Sequence, residues 1–126
     1  LTTALVGLAA ERRASFDAVL GSPDHDLIVV EADGEVVGFA HSLAYQDLSH
    51  GALAGELLGI AVKEGFRRIG IGTALFREVC RLARERGVGE LHVNTEADNL
   101  IAQRFYRSLG AETVGVQMEI NLGGEP

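Results

Sequence analysis

Hydrophobic residues recur along the chain with two different periods, and each period is typical of one kind of secondary structure. Spacings of three and four residues predict helices over residues 1–20, 70–86 and 98–109. Continuous or alternating apolar runs predict strands over residues 27–32, 35–45, 56–62, 90–95 and 111–122. The order α-β-β-β-α-β-α-β predicts an α+β fold with a mixed sheet, in a single domain spanning residues 1–126.

Turn residues separate these segments. Asp33-Gly34, between two apolar runs, is a strong signal for a two-residue hairpin turn. Residues 46–55 predict a loop, and Gly87 and Gly110 predict helix ends. Alternate residues of the second strand share one face of the sheet: Val37, Phe39, His41, Leu43 and Tyr45.

A glycine-rich turn lies between the apolar strand over 56–62 and the helix that follows it. Gly70 and Gly72 allow a ligand to approach the backbone, and Arg67 and Arg68 stand just before them. The first turn of this helix carries no acidic residue and no Ser, Asp or Asn cap. Because the N-terminal amides of a helix have no intrahelical partner, this turn is predicted to bind phosphate groups.

The spacing excludes two common phosphate motifs. A nucleotide P-loop needs a Lys after its last glycine, and none follows Gly70 or Gly72. A dinucleotide-binding enzyme would need Gly or Ala where Leu75 stands, so that alternative is disfavoured. The remaining pattern is Arg67-x-x-Gly70-x-Gly72.

This pattern resembles the Arg/Gln-x-x-Gly-x-Gly/Ala signature of the GCN5-related N-acetyltransferase (GNAT) superfamily. Leu58-Gly59-Ile60-Ala61-Val62 is similar to the family's fourth strand, and Asn99-x-x-Ala102-x-x-Phe105-Tyr106-x-x-x-Gly110 to its second motif. The resemblance spans about residues 27 to 115. It implies a mostly antiparallel, twisted sheet flanked by helices. It also implies that the family's strand before the first helix is lacking here.

The resemblance implies an acetyl-coenzyme A-dependent N-acetyltransferase acting on a small-molecule, peptide or protein amine. Tyr106 would donate a proton to the departing sulfur, and Glu56 would deprotonate the amine directly or through water. The implied coenzyme A-binding residues are Ile60, Ala61, Val62, Arg67, Arg68, Ile69, Gly70, Ile71, Gly72, Thr73, Asn99 and Tyr106. The acceptor pocket is expected in the loops over residues 8–25 and 46–55.

Structural alternatives stay open for these residues. Gly59 marks either a β-bulge or a packing adjustment. Asn99 and Asp98 compete to cap the last helix. His41 and His50 are alternative bases to Glu56. Tyr106 is expected to face a cleft while Phe105 fills the core. A non-catalytic acyl-coenzyme A sensor of the same fold is the alternative function.

Charge is unevenly distributed. Residues 1–62 contain two basic and nine acidic side chains, whereas residues 63–126 contain nine of each. The acidic half disfavours nucleic acid and favours a cationic or neutral amine as acceptor. The alternative is that these acids only solvate the surface.

The remaining features concern location and cofactors. The single cysteine, Cys80, and the absence of a membrane-length apolar run predict a cytoplasmic protein with no membrane partner. Cys80 is expected to be a small core residue rather than a nucleophile. No Cys/His spacing suggests a metal. A homodimer is left open.

Overall fold

The computed structural model describes residues 10–123. Its elements follow the predicted order up to the last helix: α1 (Ala10–Leu20), β1 (His25–Ala32), β2 (Glu35–Asp47), β3 (Ala52–Val62), α2 (Ile71–Glu85), β4 (Leu91–Val93) and α3 (Leu100–Ser108). The part of the first predicted helix that precedes Ala10 lies outside the described residues. The chain divides into a first compact unit, residues 1–93, and a second, residues 94–126.

The four strands of the first unit form a single sheet in the order β1-β2-β3-β4. β1 pairs with β2 and β2 with β3 in antiparallel directions. β3 pairs with β4 in parallel, with α2 as the crossover between them. The prediction of a mixed, mostly antiparallel sheet is therefore confirmed.

Two hairpin turns connect the antiparallel strands. At the first, Asp33 and Gly34 have φ angles of 52° and 79°, as a type I′ turn requires, so the predicted turn is confirmed. The second loop was predicted too long. Asp47 pairs directly with Ala52, which leaves only residues 48–51 outside the ladder. The small residues at the start of β3 carry little strand signal, and their backbone pairing with β2 makes them a strand.

Helix α2 packs on one face of the sheet, to which β2 presents mainly small residues. Val37 is the extra residue at the register shift between β1 and β2 and is buried in the core, so its predicted place beside the exposed Phe39 is wrong. A Cβ atom at Gly38 would lie 3.3 Å from side-chain atoms of Ile71 and Leu75, so the helix contacts this face closely. The following residues of β2 on the same face are all buried: Ala40, Ser42 and Ala44. Leu75 and Val79 of α2 are also buried and form the centre of the core.

The predicted strand over residues 111–122 is wrong in this structure. Residues 111–121 have no regular secondary structure. The alternating apolar side chains that suggested a strand are each at least 84% exposed: Val114, Val116, Met118, Ile120 and Leu122. Alternation predicts a strand only when a neighbouring strand supplies the hydrogen bonds, and these residues join no ladder.

The C-terminal end of α2 is held to the start of the sheet by Arg86. Its Nε and one terminal nitrogen donate to the two carboxylate oxygens of Asp26 at 2.8 and 2.9 Å. Its other terminal nitrogen donates to the carbonyl oxygen of Pro23 at 2.7 Å. A planar guanidinium is required to make all three bonds, because an ammonium group cannot bind a carboxylate through two parallel N–H groups.

We therefore expect Arg86→Lys to lower the free energy of unfolding by about 1–2 kcal/mol. Urea unfolding followed by circular dichroism measures the change. Arg84→Lys is the matched control, because Arg84 is exposed on the same helix and should tolerate the exchange. Equal stabilities of the two variants would show that the bidentate contact does not stabilise the fold.

Candidate active site

One edge of β3 is open next to the glycine-rich turn. In the residues that the structure describes, β4 pairs with Gly55–Leu57 and not beyond. Peptide groups point alternately to the two sides of a strand. The N–H of Lys63 points toward β2, where it donates to the carbonyl of Val37. The N–H and C=O groups of Val62 and Ile60 therefore point away from β2. These groups line the open edge.

A β-bulge lies just before this edge. The register between β2 and β3 shifts between His41, which pairs with Gly59, and Ser42, which pairs with Leu57. Leu58 is the extra residue and is 45% exposed. A Cβ at Gly59 would make only ordinary contact with Phe39, at 3.6 Å. The bulge predicted around Gly59 is thus present, and packing alone does not require the glycine.

The turn between β3 and α2 has an unusual backbone. Gly65, Arg68 and Gly70 all have left-handed φ angles, of 94°, 64° and 92°. Gly70 precedes the first residue of α2 without any side-chain cap, and the first turn contains no acidic residue. The first helix hydrogen bond is donated by Ala74 to Gly70, so the amides of residues 71–73 have no partner within the helix. This is the arrangement that favours bound phosphate.

The two arginines of the turn differ in their surroundings. Arg67 donates from Nε to the carbonyl of Val62 at 2.9 Å, which holds its side chain at the end of β3. Its terminal N–H groups take no part in that bond. Arg68 is exposed and has the left-handed φ already noted. Arg67 therefore also helps to shape the turn, a role that the sequence pattern did not reveal.

The sheet face opposite α2 brings several polar groups together. Phe39, His41, Leu43 and Tyr45 share this face, because Gly38 and the residues alternating with it face the helix. Glu56 pairs with Leu43 on one side and with His92 of β4 on the other, so it lies on this face too. Glu56 is half-buried, not an exposed strand-end carboxylate.

The two histidines predicted as alternative bases have opposite electrostatic environments. Partial burial and the neighbouring His25 lower the pKa of His41. His50 lies in the exposed hairpin loop, where Nδ1 contacts a carboxylate oxygen of Asp47 at 2.7 Å. This hydrogen bond raises the pKa of His50. A general base must be neutral, and the lowered pKa favours the neutral form of His41, whereas the raised pKa favours the charged form of His50.

The second unit carries the residues of the second motif. Asn99 caps α3, its side-chain oxygen accepting from the amide of Ala102 at 3.0 Å, so Asn99 and not Asp98 is the cap. Tyr106 is only 8% exposed, while Phe105 is half-buried and packs edge-to-face against it. The expectation that Phe105 would be the more buried is wrong. Burial raises the pKa of Tyr106, which keeps its hydroxyl protonated at neutral pH.

Other groups give no sign of a site. Burial raises the pKa of the Cys80 thiol, which disfavours a nucleophilic thiolate. In residues 10–123, no group of three or more His, Cys, Asp or Glu side chains is arranged to hold a metal ion. No helix in the same part of the chain is long and apolar enough to cross a membrane.

Comparison with known proteins identifies the family. Residues 5–111 match the model of the acetyltransferase (GNAT) family. The chain is 34% identical over 112 residues to an aminoglycoside N(6′)-acetyltransferase type 1 of Serratia marcescens, covering 85% of this chain and 77% of the relative. It is 31% identical over 117 residues to a mycothiol acetyltransferase of Saccharomonospora viridis, covering 90% of this chain and 37% of the relative.

A solved structure gives the same picture. The aminoglycoside N-acetyltransferase AAC(6′)-Iy in complex with coenzyme A superposes with a TM-score of 0.78 at 25% identity, covering 88% of this chain and 85% of that one. The chain belongs to the GNAT family. It is an acetyl-coenzyme A-dependent N-acetyltransferase, and the catalytic interpretation is favoured over a sensor that only binds acyl-coenzyme A.

The uncapped start of α2 leads to a binding prediction. Gly72→Asp places a carboxylate in the first turn, where it would repel phosphate groups, so we expect coenzyme A affinity to fall at least tenfold, about 1.4 kcal/mol. Calorimetric titration measures the loss. Gly72→Ala tests added bulk alone, and Gly89→Asp adds the same charge at an exposed site with space around it. If Gly72→Asp folds and keeps wild-type affinity, phosphate does not bind at this helix end.

Proposed function

We propose that this chain acetylates a primary amine by direct attack of the amine on the thioester of acetyl-coenzyme A, without an acetyl-enzyme intermediate. The observation that carries this proposal is the open edge of β3, which lies directly before an uncapped helix start. An extended pantetheine arm has amides that can pair with such an edge, and its pyrophosphate needs the amides of such a helix end.

The binding roles follow from this arrangement. The N–H groups of Ile60 and Val62 and the carbonyl of Ile60 pair with the pantetheine amides, with Ala61 between the two residues. The carbonyl of Val62 accepts from Arg67. The amides of residues 70–73 hold the pyrophosphate, with Ile69, Arg67 and Arg68 beside it. Asn99 contacts the pantetheine, a role that comes from the family motif and is compatible with its cap, which uses only the side-chain oxygen.

Two side chains are proposed to move protons. Glu56, on the sheet face opposite α2, takes a proton from the amine directly or through water. Tyr106 gives a proton to the sulfur as the thiolate leaves. Its role comes from the family motif, and its raised pKa keeps the hydroxyl available as a donor. No nucleophilic side chain is needed, which agrees with the raised pKa of Cys80.

The acceptor is proposed to be a small amine that is cationic or neutral. The Serratia and AAC(6′)-Iy proteins are aminoglycoside acetyltransferases by name, and aminoglycosides carry several amino groups. Charge gives weaker support than the sequence suggested. Three acids of the acidic half are engaged by neighbours: Asp26 by Arg86, Glu35 by Lys63 and Asp47 by His50. Glu56, on the sheet face opposite α2, is the carboxylate proposed to attract an ammonium group.

Release of free coenzyme A on mixing with acetyl-coenzyme A tests the function. We expect turnover with amino sugars or other cationic or neutral amines, and poor kcat/KM with amines that also carry carboxylates. A panel should pair each amine with a carboxylated analogue of similar size. Acidic amines giving the highest kcat/KM would contradict the acceptor class. A folded protein that binds coenzyme A but acetylates no member of the panel would favour the sensor function.

The role of Tyr106 leads to a second prediction. Tyr106→Phe keeps the ring and removes the hydroxyl, so we expect a loss in kcat of roughly tenfold to a few hundredfold with unchanged acetyl-coenzyme A affinity. Single-turnover acetyl transfer is the measurement, because product release can mask the effect in steady state. Tyr45→Phe is the matched control, since it makes the same change at the chain's other tyrosine. Equal rates for Tyr106→Phe and wild type would show that Tyr106 has a purely structural role.

A further inference from the structure

A pair of histidines on the sheet face opposite α2 has no part in the chemistry described so far. The rings of His25 in β1 and His41 in β2 meet edge to edge, with centroids 5.0 Å apart and planes inclined by 23°. Nδ1 of His25 lies 2.7 Å from Nε2 of His41. Two ring nitrogens at this distance share one proton, because one must carry the hydrogen and the other must offer a lone pair.

The sheet register places this pair beside the β-bulge. His41 is the direct partner of Gly59, on the face that also carries Glu56. Gly59 has no side chain, and a Cβ atom there would contact only the ring of Phe39, at 3.6 Å. The open edge begins one residue further on, at Ile60. In the proposed binding mode the pantetheine arm runs from the pyrophosphate site past Val62 and Ile60. This direction puts the thioester beyond Ile60, so an amine that attacks it approaches His41.

The charged and titratable groups around His41 come from three other strands. His25 faces it from β1, Glu56 lies on the same face of β3, and His92 lies on β4 next to Glu56. Partial burial comes first among the causes of the lowered pKa, followed by the charge of His25. His41 is therefore neutral at pH 7 and able to accept a proton.

The reaction itself requires such an acceptor. When an ammonium acceptor is acetylated, the nitrogen loses two protons, the new C–N bond forms and the C–S bond breaks. One proton ends on the thiolate to give the free thiol. The other is released to solvent on every turnover. Glu56 can take the first proton from the ammonium group, but the enzyme must then pass a proton out of the site before it can react again.

We propose that His41 and His25 form the relay that carries this proton to solvent, an inference that rests on the proposed function. In the resting state Nε2 of His41 carries the hydrogen and donates it to Nδ1 of His25. Nδ1 of His41 then accepts the proton from the amine site, the shared proton moves to His25, and Nε2 of His25 releases its own proton to water. One proton enters and one leaves. Both rings then carry their hydrogens on Nδ1, so before the next turnover each ring must turn and exchange with water, losing the Nδ1 hydrogen and gaining one on Nε2.

The resting tautomers can be observed without any activity. Long-range ¹H–¹⁵N spectra of the imidazole rings should show His41 with its hydrogen on Nε2 and His25 with its hydrogen on Nε2, at pH 7. Acetyl-coenzyme A should perturb the His41 signals and leave those of His50 in the hairpin loop unchanged. A His41 ring with its hydrogen on Nδ1 would overturn the relay, because it could not accept a proton from the amine.

Kinetic tests distinguish the relay from a structural role. Because the relay restores Glu56 after acetyl transfer, we expect His41→Gln to lower kcat under multiple turnover by about tenfold to a hundredfold, with an unchanged single-turnover rate and unchanged affinity for acetyl-coenzyme A. In wild type kcat should fall as pH drops through the pKa of His41, which burial and the neighbouring His25 hold below its ordinary value. His41→Gln should not show this fall in rate at low pH. His50→Gln makes the same change in the exposed hairpin loop and should retain the pH profile.

His25 is a positioning residue in this scheme, and its variant has a separate signature. His25→Gln removes the charge that lowers the pKa of His41, so the fall in kcat should move to higher pH. A purely structural His25 would change kcat without moving this fall. Wild-type rates and profiles in both variants would overturn the relay while leaving the acetyltransferase intact. No acetyl transfer by wild type to any amine would instead refute the proposed function, and the imidazole spectra would still decide the relay.

Discussion

The site depends on one constraint: β4 stops pairing with β3 before β3 ends. β4 joins β3 only along Gly55–Leu57, and β3 then runs on with one edge open. A strand edge with free peptide groups invites another extended chain. Here the edge ends beside an uncapped helix start, so one short region offers both strand-like pairing and an anion site. An elongated ligand with amides and phosphates fits both, and coenzyme A has this composition.

The position of the anion site depends in turn on how closely α2 approaches the sheet. Gly38, Ala40, Ser42 and Ala44 have small side chains, so the helix can lie directly on β2. Leu75 and Val79 fill the space between helix and sheet, and Arg86 ties the far end of the helix to Asp26. The helix is thus anchored along its length, and its start cannot shift relative to β3 without disturbing the core.

Local patterns allowed the glycine turn, the Asp33-Gly34 hairpin and the helix caps to be predicted, because each depends on neighbours in sequence. Long-range pairing decided the rest. The residues before Gly55 became strand through their pairing with β2, and residues 111–122 stayed irregular although they alternate well. The contact between His25 and His41 follows from the register of β1 and β2, which is not visible in a single sequence. The hydrogen bond from Arg67 to the carbonyl of Val62 is likewise not visible in a single sequence.

The histidines show why a candidate base has to be judged in its surroundings. His41 and His50 are chemically identical, and sequence alone gives no reason to prefer either. A carboxylate beside an exposed ring favours the charged form, as for His50 with Asp47, whereas burial beside a second imidazole favours the neutral form, as for His41. The same fold therefore sets one histidine to hold a proton and the other to accept one. Only the second stands beside the bulge where the thioester is proposed to lie.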